Sequence, residues 1–179
     1  MATPSSLASK YGDSFYSYDC GGTYKWYLTQ YIETAREVGA IPVLVTPVSR
    51  LYYTNDGTIK PHHDSTDTTT GTLVTENNAY VEAVKQLAKE QNVLLIDGFE
   101  ITKNMYEEAY KADEKAANGK SVNGMQVMSA GDSTHSNKLG GFITAELFAQ
   151  QIQNMNISLS KAVKAPSRVA GVNPDGQQV

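Results

Sequence analysis

Two short apolar runs without polar alternation constrain this chain most. Ala40 to Thr46 (Ala-Ile-Pro-Val-Leu-Val-Thr) and Val93 to Asp97 (Val-Leu-Leu-Ile-Asp) have the composition of strands covered on both faces. Each follows an amphipathic pattern of helical period. Tyr24, Tyr27, Leu28, Tyr31, Ile32, Ala35 and Val38 mark one face of a helix ended by Gly39, and Tyr80, Val81, Val84, Leu87 and Ala88 mark a second. Parallel strands need crossover helices, so this alternation predicts an α/β domain with a parallel sheet. Pro42 belongs at the start of the first strand, where no ladder bond is lost.

Downstream, Ile101, Met105, Tyr106, Ala109 and Ala112 predict a third helix, Asn118 to Ala130 a polar connection, and Leu139, Ile143, Leu147 and Ile152 a fourth helix. Asn55-Asp56-Gly57 between Leu51-Tyr52-Tyr53 and Thr58-Ile59 predicts a small hairpin, and Pro61 to Gly71 a loop. Residues 1–22 form an irregular lead-in, 23–160 the folded domain with a single expected core, and 161–179 a Pro- and Gly-rich, linker-like tail. Two strands are few for a doubly wound sheet, so the sheet is expected to be incomplete and its open edge to invite self-association.

Composition narrows the partners. With 15 Lys and Arg against 19 Asp and Glu, a net charge of -4 and no basic cluster, the 179-residue chain lacks the positive stripe that nucleic acid or an anionic membrane surface requires. No run of 18 apolar residues is present, and the residues after Met1 have neither a basic nor an apolar leader region, so neither a membrane span nor a signal peptide is expected. Cys20 is the only cysteine, which excludes an intrachain disulfide and a multi-thiolate metal site. No cofactor or metal is expected.

Candidate chemistry gathers at strand ends and before the last helix. Thr46, Pro47, Ser49 and Arg50 follow the first strand and Asp97 and Gly98 the second, the edge at which open parallel sheets bind ligands. Arg50 there suits an acid group of a substrate; the plainer alternative is a solvated arginine or the partner of a loop carboxylate. In Gly131-Asp132-Ser133-Thr134-His135-Ser136-Asn137, the three-residue spacing lets the Asp132 carboxylate reach back to His135 Nδ1, leaving Nε2 to take a proton from a nucleophile. The plainer alternative is a turn-capping Asp132, a surface His135 and a helix capped by Ser136 or Asn137. His62-His63-Asp64 has no third ligand at metal-site spacing, and Asn156-Ile157-Ser158 fits a glycosylation sequon. Tyr24, Tyr27 and Tyr31 offer rings that stack on sugars but fall on the face assigned to packing.

Taken together, Thr23 to Leu28, Gly39 to Arg50, Val93 to Asp97 and Asp132-Ser133-Thr134-His135 resemble the SGNH (GDSL-type) hydrolases, most closely the rhamnogalacturonan acetylesterase branch, over roughly Thr23 to Ile152. The resemblance implies a flavodoxin-like parallel sheet with flanking helices. It also implies metal-free hydrolysis of O-acetyl esters on polysaccharide by a Ser, His and Asp triad, with Asp132 and His135 matching the last block, and an extracellular location. The chain departs from the pattern earlier. Gly12-Asp13-Ser14 is the family's nucleophile tripeptide, but Ser5 to Tyr11 before it is no apolar strand, and the Gly and Asn blocks of the oxyanion hole are not found. The expectation is the C-terminal part of a carbohydrate acetylesterase, catalytically incomplete by itself. The alternative is a glycan-binding or scaffolding domain that keeps the esterase fold without catalysis.

Overall fold

The computed structural model describes residues 23–63, 65–66, 73–74, 79–116 and 128–164. In chain order these form α1 (Thr23–Glu37), β1 (Val43–Val45), β2 (Ser65–Thr66), β3 (Leu73–Val74), α2 (Ala79–Glu90), β4 (Leu94–Ile96), α3 (Gly98–Ala116), α4 (Lys138–Asn154) and a 3-10 turn, Ser158–Lys161. The lead-in 1–22, most of the polar connection after α3 and the end of the tail lie outside the described residues. The helix and strand order is the one the apolar periodicity predicts. The pair β2 and β3, two residues each and antiparallel, adds a minimal ladder, with β2 inside the Pro61 to Gly71 segment expected as loop.

The chain divides into two compact units, residues 1–47 with 61–97 and residues 48–60 with 98–179. In the first, β1 and β4 pair in parallel with Leu44 opposite Leu95. Ile32 from α1, Leu44 from β1 and Val84, Leu87 and Ala88 from α2 form its buried cluster, with Tyr24, Leu28, Val93 and Leu95 packed against it. Both helices therefore cover the same face of the two strands. Since successive strand residues point to opposite faces, Val43 and Val45 turn away from that cluster, Val43 half-buried and Val45 44% exposed, where the composition of β1 predicts cover. The stripe of α1 that packs is narrow, Tyr24, Leu28 and Ile32 at steps of four. Tyr27, Tyr31 and Val38 lie beyond its edge and are exposed, which corrects their assignment to the packed face.

Among the described residues the second unit has a buried cluster of its own. Leu51, Ile59, Met105, Tyr106 and Met128 are buried together, with Tyr53, Ala109, Ile143 and Leu147 against them. The predicted hairpin is present in reduced form. Tyr53 and Ile59 make an isolated antiparallel bridge, the Lys60 amide donates to the Tyr52 carbonyl at 2.9 Å, and Gly57 holds a φ of 82 that favours glycine at this turn. Leu51, between the end of β1 and this turn, packs with Met105 and Tyr106 of α3.

Candidate active site

The loop from Met128 to Asn137 is fixed at both ends before its chemistry begins. Met128 is buried in the second unit's cluster, and Asn137 caps α4 by accepting the Gly140 amide on Oδ1 at 3.0 Å. The ends are drawn together by a short ladder. The Asn137 amide donates to the Met128 carbonyl at 2.7 Å, Ser129 and Ser136 form an antiparallel bridge, and the Ala130 amide donates to the His135 carbonyl at 2.9 Å. Gly131 turns the tip with a φ of 111, a conformation L side chains rarely adopt. Its amide donates to Ser129 Oγ at 2.9 Å, and that hydroxyl donates on to the Asp132 carbonyl.

Within this frame Asp132 folds back on the residues that follow it. Oδ1 accepts the amides of Thr134 at 2.7 Å and His135 at 2.8 Å, while Oδ2 lies 2.9 Å from His135 Nδ1. The two carboxylate oxygens thus have separate tasks, one closing the turn and one facing the imidazole. The His135 amide, then the imidazole, then the Thr134 amide hold the Asp132 carboxyl well below its usual range, at about 2. A carboxylate at this position fixes Nδ1 as the protonated nitrogen and leaves Nε2 as the basic one. The imidazole is 74% exposed, so it is open to a reacting group.

A pH dependence follows from the lowered value. Because the folded carboxyl titrates at about 2 and the ordinary group at 3.8, the turn is favoured by its charge above pH 4 and loses that support as pH falls toward 2. The Thr134 and His135 amide resonances are expected to shift with a midpoint near pH 2. A midpoint near 4 would show that these bonds do not form in solution.

Residues 49–52 pack beside the loop within the second unit. The Leu51 amide donates to the Ser133 carbonyl at 2.9 Å. Arg50 Nη1 lies 3.4 Å from the Tyr52 hydroxyl, with the guanidinium 5.8 Å from the centre of the Tyr52 ring. Hydrogen bonding to Arg50 and then to the Ser133 side chain holds the Tyr52 phenol below its ordinary value. Sequence reasoning placed Tyr52 in a hairpin arm and missed this role. The available signal was its spacing from Arg50, since residues two apart in an extended segment share a side.

The other sequence candidates have structural tasks. Ser49 is buried, its amide donates to Thr102 Oγ1 at 2.7 Å and its hydroxyl to the Arg50 carbonyl at 3.0 Å. Thr46 donates to Asp97 Oδ1 at 3.1 Å, and Asp97 Oδ2 pairs with Lys85 at 2.8 Å, which joins the ends of β1 and β4 to α2. The His62 and His63 rings lie 4.5 Å apart, Asp64 falls outside the described residues, and among the described residues no group of three potential ligands could hold a metal. Asn156 is exposed between α4 and the 3-10 turn with a φ of 54. Ser14 and Cys20 lie outside the described residues.

No protein-family model matches the chain. The probable rhamnogalacturonan acetylesterase YesY of Bacillus subtilis (strain 168) is 36% identical to it over 143 residues, covering 79% of this chain and 55% of the relative. The rhamnogalacturonan acetylesterase RhgT of the same organism is 32% identical over 146 residues, covering 76% and 54%. The chain is a homologue of the rhamnogalacturonan acetylesterases. It spans about half the length of these curated relatives. The crystal structure of protein YxiM from Bacillus subtilis matches 75% of this acetylesterase homologue and 32% of its own chain with a TM-score of 0.51, a likeness of fold at 20% identity. The parallel sheet with flanking helices agrees with that fold, and the branch recognised from the sequence blocks is the branch these relatives represent.

Proposed function

We propose that Asp132 and His135 are the acid-base pair of a carbohydrate O-acetylesterase acting on acetylated polysaccharide outside the cell. The observation that carries this reading is the 2.9 Å contact between Asp132 Oδ2 and His135 Nδ1 in a homologue of acetylesterases. In the reaction a serine hydroxyl attacks the acetyl carbonyl as His135 Nε2 takes its proton. Asp132 stabilises the imidazolium, and the proton then passes to the departing sugar oxygen. The resulting acetyl-serine is hydrolysed by a water that His135 deprotonates, releasing acetate and restoring the serine. Ser49 is a poor candidate for the nucleophile because it is buried with its hydroxyl engaged by the Arg50 carbonyl. The alternative of a glycan-binding domain without catalysis draws support from Tyr27 and Tyr31, exposed one helical turn apart on α1.

Hydrolysis of p-nitrophenyl acetate separates these readings. With no nucleophile block after an apolar strand in the sequence, the chain is expected to turn over this ester barely above background, and His135→Ala to remove what there is. Robust turnover abolished by both Ser14→Ala and His135→Ala would place the nucleophile at Ser14 and make the chain a complete esterase. Turnover above background that His135→Ala leaves untouched would overturn the proposal, and no turnover above background by the unaltered chain would favour the binding domain.

A further inference from the structure

The first unit is open along one side. Among the described residues β1 pairs only with β4. The Thr46 amide donates to the Ile96 carbonyl at 3.1 Å, so Thr46 and Leu44 turn their amides and carbonyls to β4. By the alternation of a strand, Val43 and Val45 turn theirs to the other edge. α2 lies over both strands, and α1 lies beside α2 with Ile32 against Leu44 of β1. Lys25 and Arg36 mark the flank of α1 that faces α2, donating to Glu90 and to the Gln91 carbonyl. At 3.6 residues per turn, Tyr27, Tyr31, Thr34 and Val38 fall on the opposite flank, which is exposed and carries no charge. With a right-handed crossover from β1 through α2 to β4, that flank points past the free edge of β1.

We propose that this side docks a second copy of the chain, the free edges of β1 pairing antiparallel about a two-fold axis at Leu44. In that register Val43 and the partner's Val45 exchange both amide-to-carbonyl bonds, and the symmetry repeats the pair, so every outward group of the edge is satisfied. An axis perpendicular to the sheet keeps both α1 helices on one face, and the tyrosine flank of one copy meets that of the other. The patch is self-complementary, as a two-fold interface requires, and its lack of charge spares two copies of net charge -4 a like-charge contact at the seam. Tyr27, Tyr31, Val38, Ile41 and Val45 are all exposed and offer roughly 600 Å² per copy, hence about 1,200 Å² in the pair, the lower end for a specific interface. β4 offers no comparable surface, since Ile96 is buried and Leu94 and Leu95 are half-buried. The inference is independent of the acetylesterase reading.

Sedimentation velocity of the full chain over about 1–200 μM is the test, with a monomer expected at the lowest concentration, a dimer at the highest and a midpoint in the micromolar range. Tyr31→Lys puts a charge on the flank at a side chain 74% exposed, and is expected to raise the midpoint about ten-fold or more with an unchanged thermal melt. Val45→Pro removes an outward amide while leaving the β1 to β4 ladder its bonds, and is expected to weaken association by a similar factor. A monomer at every concentration would overturn the proposal and leave the edge to another occupant, a strand from a longer chain or a glycan on the tyrosines. Dimers of undiminished affinity in either variant would also overturn it, because association would then run through another surface.

Discussion

Asp132→Asn is expected to leave the fold intact and to lower acetyl-ester turnover, in an active enzyme containing this chain, by about three orders of magnitude or more. The size of the effect follows from how the two carboxylate oxygens are used. Oδ1 already accepts two amides, from Thr134 and His135, so an asparagine in this position keeps its carbonyl oxygen there. Its amide nitrogen must then face His135 Nδ1, where the carboxylate Oδ2 stood. An amide N–H donates, so Nδ1 becomes the acceptor and the proton moves to Nε2. The imidazole is left in the tautomer that has no lone pair toward the nucleophile, and the imidazolium loses its counter-charge. Steady-state kinetics and a thermal melt measured side by side check both halves. Turnover within a few-fold of the unsubstituted enzyme would mean that Asp132 only closes a turn.

Leu51→Ala is expected to cost about 2–5 kcal/mol of stability, the range for truncating a buried leucine, against the roughly 5–15 kcal/mol that holds a typical domain together. Leu51 is almost wholly buried and shares its cluster with Ile59, Met105, Tyr106 and Met128. Met128 begins the loop that carries His135, and the Leu51 amide anchors that loop at Ser133. A cavity at Leu51 therefore loosens the reacting loop as well as the core. Urea unfolding is expected to show a lower midpoint at unchanged slope, and the Leu51 and Asn137 amides to exchange with solvent faster. A midpoint unchanged by the substitution would show that this cluster does not stabilise the second unit.

The parts of the fold set by periodicity were legible in the residues. The apolar steps of α2 at Val81, Val84, Leu87 and Ala88 are buried, together with Ala83 outside that stripe, and the unbroken runs became the parallel pair β1 and β4. What periodicity does not carry is which edge of an apolar stripe meets a neighbour. Tyr24 and Tyr27 look equivalent along α1, yet only the residues facing α2 and Leu44 are packed. The same limit applied to β1, whose composition is that of a doubly covered strand while Val45 stays exposed. At the site, the Asp132 to His135 spacing was readable because the contact is local, three residues along one turn. The place of Tyr52 was not, because its partners Ser133 and Thr134 lie some eighty positions away in sequence, brought near by the Leu51 amide.

The central claim is that Asp132 makes His135 a base at Nε2. Nitrogen-15 spectra of the His135 ring in the neutral form test it most directly, since they distinguish a protonated ring nitrogen from a bare one without requiring turnover. The expected result is a proton on Nδ1 and none on Nε2 in the unaltered chain, with the two nitrogens exchanging roles in Asp132→Asn. A neutral ring protonated on Nε2 in the unaltered chain would contradict it.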